Sequence, residues 1–150
     1  MRAVLQRVSR AQVEVDGKIA GEIGNGLLVL LGVEHKDTAA QADYLVNKVA
    51  GLRIFPDEAG RMNRSVVDSN GGLLIISQFT LYGDCRRGMR PSFDRAAPPE
   101  LARELYDYFV EQSRKRVSLV ATGVFRASMS VTLVNEGPVT IICESGPSIE

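Results

Sequence analysis

Hydrophobic positions along the chain follow two periods, and the changeovers between them outline the elements. Residues 1–8 are apolar with Arg2, Gln6 and Arg7 interleaved, and residues 11–15 alternate in period two, so the chain enters as a strand. The Asp16-Gly17 pair is favoured in two-residue hairpin turns, which predicts residues 19–23 as a return strand. Gly24-Asn25-Gly26 then turns the chain into residues 27–33, apolar apart from Gly32, the pattern of a strand central in its sheet.

From Thr38 the period becomes helical. Thr38 and Gln41 fit a capping box, and Ala42, Leu45, Val46, Val49 and Leu52 recur on one stripe, which predicts an amphipathic helix lying on the sheet. Residues 52–55 resume an extended pattern, and 56–63 form a turn-rich polar connection. Leu73, Leu74, Ile75 and Ile76, bounded by Asn70, Gly71 and Gly72 before and Gly83 and Asp84 after, read as a strand buried on both faces. Residues 82–99 form an irregular loop carrying Arg86, Arg87, Arg90, Pro91 and Phe93. Pro98, Pro99 and Glu100 start a second helix with the stripe Leu101, Leu105, Tyr108 and Phe109, and Arg114, Lys115 and Arg116 close its last turn as the helix dipole prefers. Ala127, Met129, Val131 and Leu133 alternate with polar residues up to Asn135-Glu136-Gly137-Pro138, and 139–143 read as a further strand. The last third is therefore expected to be a hairpin with proline at its tip.

Together these elements predict a mixed α/β architecture: a mostly antiparallel or barrel-like sheet with two packed helices. At 150 residues the chain fits a single domain spanning 1–150, long enough to bury roughly 70% of its unfolded surface. Charge balance, 18 basic against 18 acidic residues, excludes a global polyanion trap, so any nucleic acid must be met by local patches. Cys85 and Cys143 lack metal or redox spacing, and no secretory leader or membrane-length apolar run is visible. Free thiols, a cytoplasmic location and no membrane partner are expected.

Candidate chemistry gathers where the buried strand ends. Ser77, Gln78 and Thr80 place two hydroxyls and an amide at the exit of a strand that has just crossed the core, where polar groups need partners or a ligand. Capping of the strand end is the structural alternative. His35 is the single histidine, flanked by Glu34 and Lys36, so a histidine triad would have to bring that one residue to Thr80 or Ser77. One histidine and two scattered cysteines build no ordinary zinc site, and Gly24, Gly26 and Gly32 have neither Walker nor dinucleotide spacing. No metal or cofactor is expected. The remaining route to catalysis is substrate positioning plus hydrogen-bond donors aimed at an oxyanion, which backbone N–H groups alone can supply.

The segment 77–81, SQFTL, and the segment 135–140, NEGPVT, resemble the two signature motifs of the D-aminoacyl-tRNA deacylases. The opening 2–8, RAVLQRV, and 87–93, RGMRPSF, extend that resemblance over nearly the whole chain. It implies a homodimeric, metal- and cofactor-free hydrolase in the proofreading of translation. Its substrate would be the ester of a D-aminoacyl-tRNA, with some mischarged glycyl-tRNA also cleared and L-aminoacyl-tRNA rejected. By the same resemblance Ser77, Gln78, Phe79 and Thr80 line the pocket for the terminal adenosine and its ester, with backbone N–H groups as oxyanion donors and Thr80 in a positioning role. It further implies that Gly137-Pro138, in the cis form, enters the partner's pocket at the subunit interface, buttressed by Arg7 and Met129, with Phe125 alongside. A rigid backbone wall there would exclude L side chains by collision and let glycine through. Arg86, Arg87 and Arg90 are candidates for tRNA phosphates. The chain departs from the family pattern at Arg126, where a small residue is usual, at Ser128, where an acidic one is common, and mildly at Glu136. Two other readings stay open: a cofactor-free esterase with Thr80 or Ser77 as nucleophile, and a non-catalytic tRNA-binding dimer.

Overall fold

A computed structural model describes residues 1–146. Its long first strand, β1 (Arg2–Val15), organises the sheet. Asp16 and Gly17 turn the chain at positive φ into β2 (Lys18–Ile23), which pairs with the second half of β1, and β3 (Gly26–Gly32) pairs antiparallel with the first half. The last strand, β8 (Ser130–Glu144), runs antiparallel to β1 from Glu14↔Ser130 to Arg2↔Glu144. On the far side of β3, β6 (Gly72–Ser77) and then β7 (Val120–Thr122) add in parallel, while β4 (Phe55–Pro56) and β5 (Met62–Arg64) form a small separate ribbon. Closure into a barrel-like sheet comes where β2 passes β7: a β-carbon at Gly21 would run into the Thr122 carbonyl, so only glycine permits the approach.

The uninterrupted apolar run of β6 has a simple cause. Leu73 and Ile75 face a core cluster made with the two helices, and Leu74 and Ile76 face a second cluster inside the curled sheet with Val8, Val13 and Leu28. Both faces are dry. Truncating Leu74 to alanine would cost about 2–5 kcal/mol. Helix α1 (Ala39–Gly51) starts with the expected capping box: the Thr38 N–H donates to Gln41 Oε1 at 2.8 Å, and the Ala40 N–H donates to Thr38 Oγ1 at 3.3 Å. Helix α2 (Pro99–Arg114) starts on proline and buries Ala102, Leu105, Tyr106, Phe109, Val110 and Ser113. The expected stripe is thus rotated. Leu101 and Tyr108 sit at its half-exposed margin, where the Tyr108 hydroxyl donates to Asp43 at 2.7 Å.

Two further expectations need correcting. Residues 127–129 precede β8 instead of lying in it, and β7 carried no strand signal in the sequence. More consequentially, 127–143 is not a hairpin. Asn135 is level with Val8 and Thr140 with Gln6, so both halves of β8 run the same way along β1, and residues 136–139 bulge out opposite Arg7. The chain makes an excursion without reversing. Its tip holds the cis Gly137-Pro138 bond, with Gly137 at φ 124°. The Asn135 side-chain amide spans its base, donating to Arg7 O at 2.9 Å and Val139 O at 3.0 Å. The Arg7 guanidinium donates to Glu136 O at 3.2 Å and Ile54 O at 2.7 Å, tying the tip to the loop before β4.

Candidate active site

At the end of β6 the chain leaves the sheet through a main-chain bond: the Gln78 N–H donates to Leu31 O at 2.8 Å. A 3-10 turn, Phe79–Tyr82, follows at once, lying so close to β3 that a β-carbon at Gly32 would stand 3.1 Å from Leu81 Cβ. Within it the Leu81 N–H reaches Gln78 O at 3.3 Å, and no side chain caps its start. Among the described residues the N–H groups of Phe79 and Thr80, the first two of the turn, have no acceptor.

Phe79 and Thr80 both line a cavity of about 610 Å³ between the turn, the start of α2 and residues 125–129. Phe93, Ala96, Ala97, Pro99, Ala102, Phe125 and Met129 give it apolar walls, with Ser77, Gln78, Phe79 and Thr80 on one side. None of its lining residues is Asp, Glu, His, Lys or Cys; Arg126 is the one charged member. The Thr80 hydroxyl accepts from the Gln78 side-chain amide at 3.0 Å, so its partner is a donor and not a base that would activate it. Phe79 and Phe93, both exposed, meet edge to face with ring centroids 5.2 Å apart at 68°.

The surroundings fix the turn. The buried Tyr106 hydroxyl donates to Ile75 O at 2.7 Å, two residues before the strand ends, and burial pushes its pKa up to about 12. Tyr82 is buried between the Arg2 and Arg95 guanidiniums, 4.9 and 5.2 Å from its ring, and desolvation raises its pKa as well. In the loop beyond, Asp84 and Ser92 exchange backbone bonds of 2.7 and 2.9 Å. Arg86 holds Asp84 by two side-chain bonds, 2.9 and 2.7 Å, which depress the carboxyl to about 2.

The structure thus brings Ser77, Gln78, Phe79, Thr80, Phe125 and Met129 together around one cavity. Arg7, Gly137 and Pro138 do not line it. Gly137 and Pro138 lie four residues down the ladder, since Arg7 opposite them is level with Leu27 whereas Ser77 is level with Leu31, and three strands across, from β8 through β1 and β3 to β6. At ordinary strand rise and spacing that is about 20 Å. Met129 accordingly stands by the cavity and not by its own chain's tip. Of the candidate arginines, Arg86 is engaged with Asp84, while Arg87 and Arg90 are exposed in the loop beside the fully exposed Met89. Sequence reasoning missed Ala96, Ala97, Pro99 and Ala102. Small residues at a loop end and a helix start make a wall by leaving room, which has no periodic signature.

A curled α/β sheet with an apolar cavity at the exit of its central strand is the fold and site to be matched with known proteins. The family model described as D-Tyr-tRNA(Tyr) deacylase matches residues 4–144. The D-aminoacyl-tRNA deacylase of Koribacter versatilis is 61% identical over 145 residues, 97% of each chain. That of Solibacter usitatus is 59% identical over 145 residues, 97% of this chain and 96% of its own. Among solved structures, one described as a c-Myc DNA unwinding element binding protein superposes with a TM-score of 0.93 at 43% identity, covering 98% of this chain and all of its own. A probable eukaryotic D-amino acid tRNA deacylase shares the fold with a TM-score of 0.83 at 18% identity, over 96% of this chain and 98% of its own. The chain belongs to the D-aminoacyl-tRNA deacylase family, ester hydrolases of tRNA proofreading.

Proposed function

We propose that the cavity beside the 3-10 turn is where the family reaction, hydrolysis of the ester in D-aminoacyl-tRNA, takes place. The observation that carries this reading is the pair of unengaged N–H groups at Phe79 and Thr80, beside a cavity whose lining offers no base. Such donors, fixed before the substrate arrives, stabilise the charge that develops on the carbonyl oxygen as water adds to the carbonyl carbon. The bond to the ribose 3′-oxygen then breaks. With no side chain to manage protons, the adjacent 2′-hydroxyl accepts one from the water and passes one to the departing 3′-oxygen. Gln78 and Thr80 orient the ester through their mutual hydrogen bond. The Phe79–Phe93 pair gives the terminal base an aromatic surface.

Chirality needs a wall on the side where an L side chain would project. The tip at 136–139 is a candidate because Arg7 and Asn135 hold it from both sides. On this reading it serves the cavity of a second copy, in a homodimer with each site completed by the partner; its distance from its own cavity supports this. Glycine, having no side chain to collide, passes such a filter. Arg87 and Arg90 meet phosphates of the acceptor stem, and the protein works in the cytoplasm with tRNA as its partner.

The test is a deacylation time course with matched D- and L-tyrosyl-tRNA and a D-tyrosyl ester on 2′-deoxy terminal adenosine. Rapid loss of the D ester, background loss of the L ester and a slowed deoxy ester are expected. Normal hydrolysis of the deoxy ester, with all turnover lost in Thr80→Ala, would replace this mechanism by a hydroxyl nucleophile.

A further inference from the structure

Among the described residues, three other than glycine hold a positive φ: Asp16 and Asn70 at 51° and Arg126 at 66°. Asp and Asn tolerate this region through their short polar side chains; arginine has no such relief and sits there at a backbone cost. The turn that imposes it is well fixed. The Ala127 N–H donates to Val124 O at 3.1 Å, and the Phe125 ring lies 6.0 Å from that of Tyr106 and 5.7 Å from the Arg103 guanidinium. Arg126 is exposed, is the one charged residue lining the cavity, and forms no ion pair among the described residues. An unpaired cation is therefore presented at an apolar cavity from a conformation that glycine would occupy more easily.

The substrate decides what that cation meets. At its reacting end an aminoacyl ester carries an ammonium, a neutral carbonyl and a neutral ribose, and the nearest negative charge belongs to the phosphodiester on the 5′ side of the terminal nucleotide. We propose that Arg126 binds this phosphodiester and thereby sets the ribose and its ester against the Phe79 and Thr80 N–H groups. The assignment rests on the reading of the cavity as the ester site. A guanidinium presents two parallel N–H donors to two phosphate oxygens, which fixes direction as well as distance. Lysine, a point charge, reproduces the attraction without the orientation.

The experiment uses minimal substrates: D-tyrosyl esters of adenosine and of adenosine 5′-monophosphate, and the D-aspartyl ester of adenosine. The wild-type enzyme should favour the phosphorylated D-tyrosyl ester by roughly tenfold in kcat/KM, mostly through KM, as a charge-assisted hydrogen bond allows. Arg126→Gly should bring that preference close to one, and Arg126→Lys should fall between. On full-length D-tyrosyl-tRNA, Arg126→Gly should also flatten the salt dependence by about 0.7 in log–log slope. Because glycine suits φ 66°, a melting temperature at or above wild type will show that the loss is not misfolding. Retention of the wild-type preference by Arg126→Gly would overturn the proposal, as would a loss confined to the D-aspartyl ester, which would mark Arg126 as a side-chain selector instead. Ala96→Phe separates this from the underlying reading. If that variant folds and still hydrolyses every ester, the cavity is not the site and both readings fall; if it is inactive while Arg126→Gly keeps the phosphate preference, only the phosphate contact falls.

Discussion

Two regions of the sheet, the exit of β6 and the excursion midway along β8, are built in opposite ways. At the end of β6 the chain is concave: a 3-10 turn leaves two N–H groups without acceptors among the described residues, beside a cavity of about 610 Å³. At the excursion on β8 it is convex and tied down by side chains, with Asn135 bridging Arg7 O and Val139 O, and Arg7 bridging Glu136 O and Ile54 O. Exposed main-chain donors can turn to a substrate, whereas a protrusion held at Glu136 O and Val139 O keeps its shape by itself. One region is suited to receive and the other to be inserted. They are displaced along and across the sheet within one chain, so on the proposed reading a second copy brings them together.

Filling the receiving end should have the largest effect. Ala96→Phe places a ring in the cavity, and at least a hundredfold loss of D-tyrosyl-tRNA hydrolysis with an unchanged melting temperature is expected; activity within a few fold of wild type would move the site elsewhere. Loosening the protruding end comes next. Asn135→Ala leaves Arg7 O and Val139 O without their side-chain donor, and a tip freed in this way should lose at least about tenfold in discrimination between D and L esters, with D hydrolysis much less affected. Unaltered discrimination in a folded Asn135→Ala would detach the tip from chirality.

A smaller effect concerns what holds the receiving end in place. Tyr106→Phe removes the bond to Ile75 O and should cost about 1 kcal/mol, read by urea unfolding. It carries a pH signature as well. Because the folded-state pKa is raised from 10.0 to about 12, the unfolded chain sheds this proton first, and wild-type stability should fall as pH rises from 10 toward 12. Tyr106→Phe should show less of that decline; an identical decline would assign it wholly to other groups such as Tyr82. The smallest effects belong to the loop. Charge reversal at Arg87 and Arg90 should raise KM for tRNA a few fold and lower the log–log salt slope by about 0.7 per contact, while Arg86→Ala, whose partner is Asp84, should change it much less. Equal effects at all three positions would mean a diffuse field instead of particular contacts.

How much of this was legible depends on whether the cause was local. The capping box at Thr38 and Gln41 and the double-sided burial of residues 73–76 follow from neighbours in sequence, and both are present in the structure. The polar cluster after Ile76 likewise marked one side of the cavity. Asn135-Glu136-Gly137-Pro138 misled because those residue types do favour turns. Whether the chain reverses there depends on both flanks pairing with β1, some 130 positions away, which no local pattern encodes. The rotation of α2 has a similar origin: Ala102 and Ser113 face the core because they are small enough to let the helix approach, whereas the larger Leu101 and Tyr108 look more hydrophobic yet lie at the margin. The availability of the Phe79 and Thr80 N–H groups, in contrast to that of Gln78, depends on where Leu31 O happens to stand.

The most direct measurement mixes two variants. Ala96→Phe has a blocked cavity and an intact tip, and Asn135→Ala has an open cavity and a loosened tip. Refolding Asn135→Ala with excess Ala96→Phe should restore rejection of L-tyrosyl-tRNA at the open cavities, because each then receives an intact tip from its partner. If L hydrolysis per open cavity stays at the level of Asn135→Ala alone, although mixed dimers are shown to form, the wall at each cavity is not supplied by the neighbouring copy.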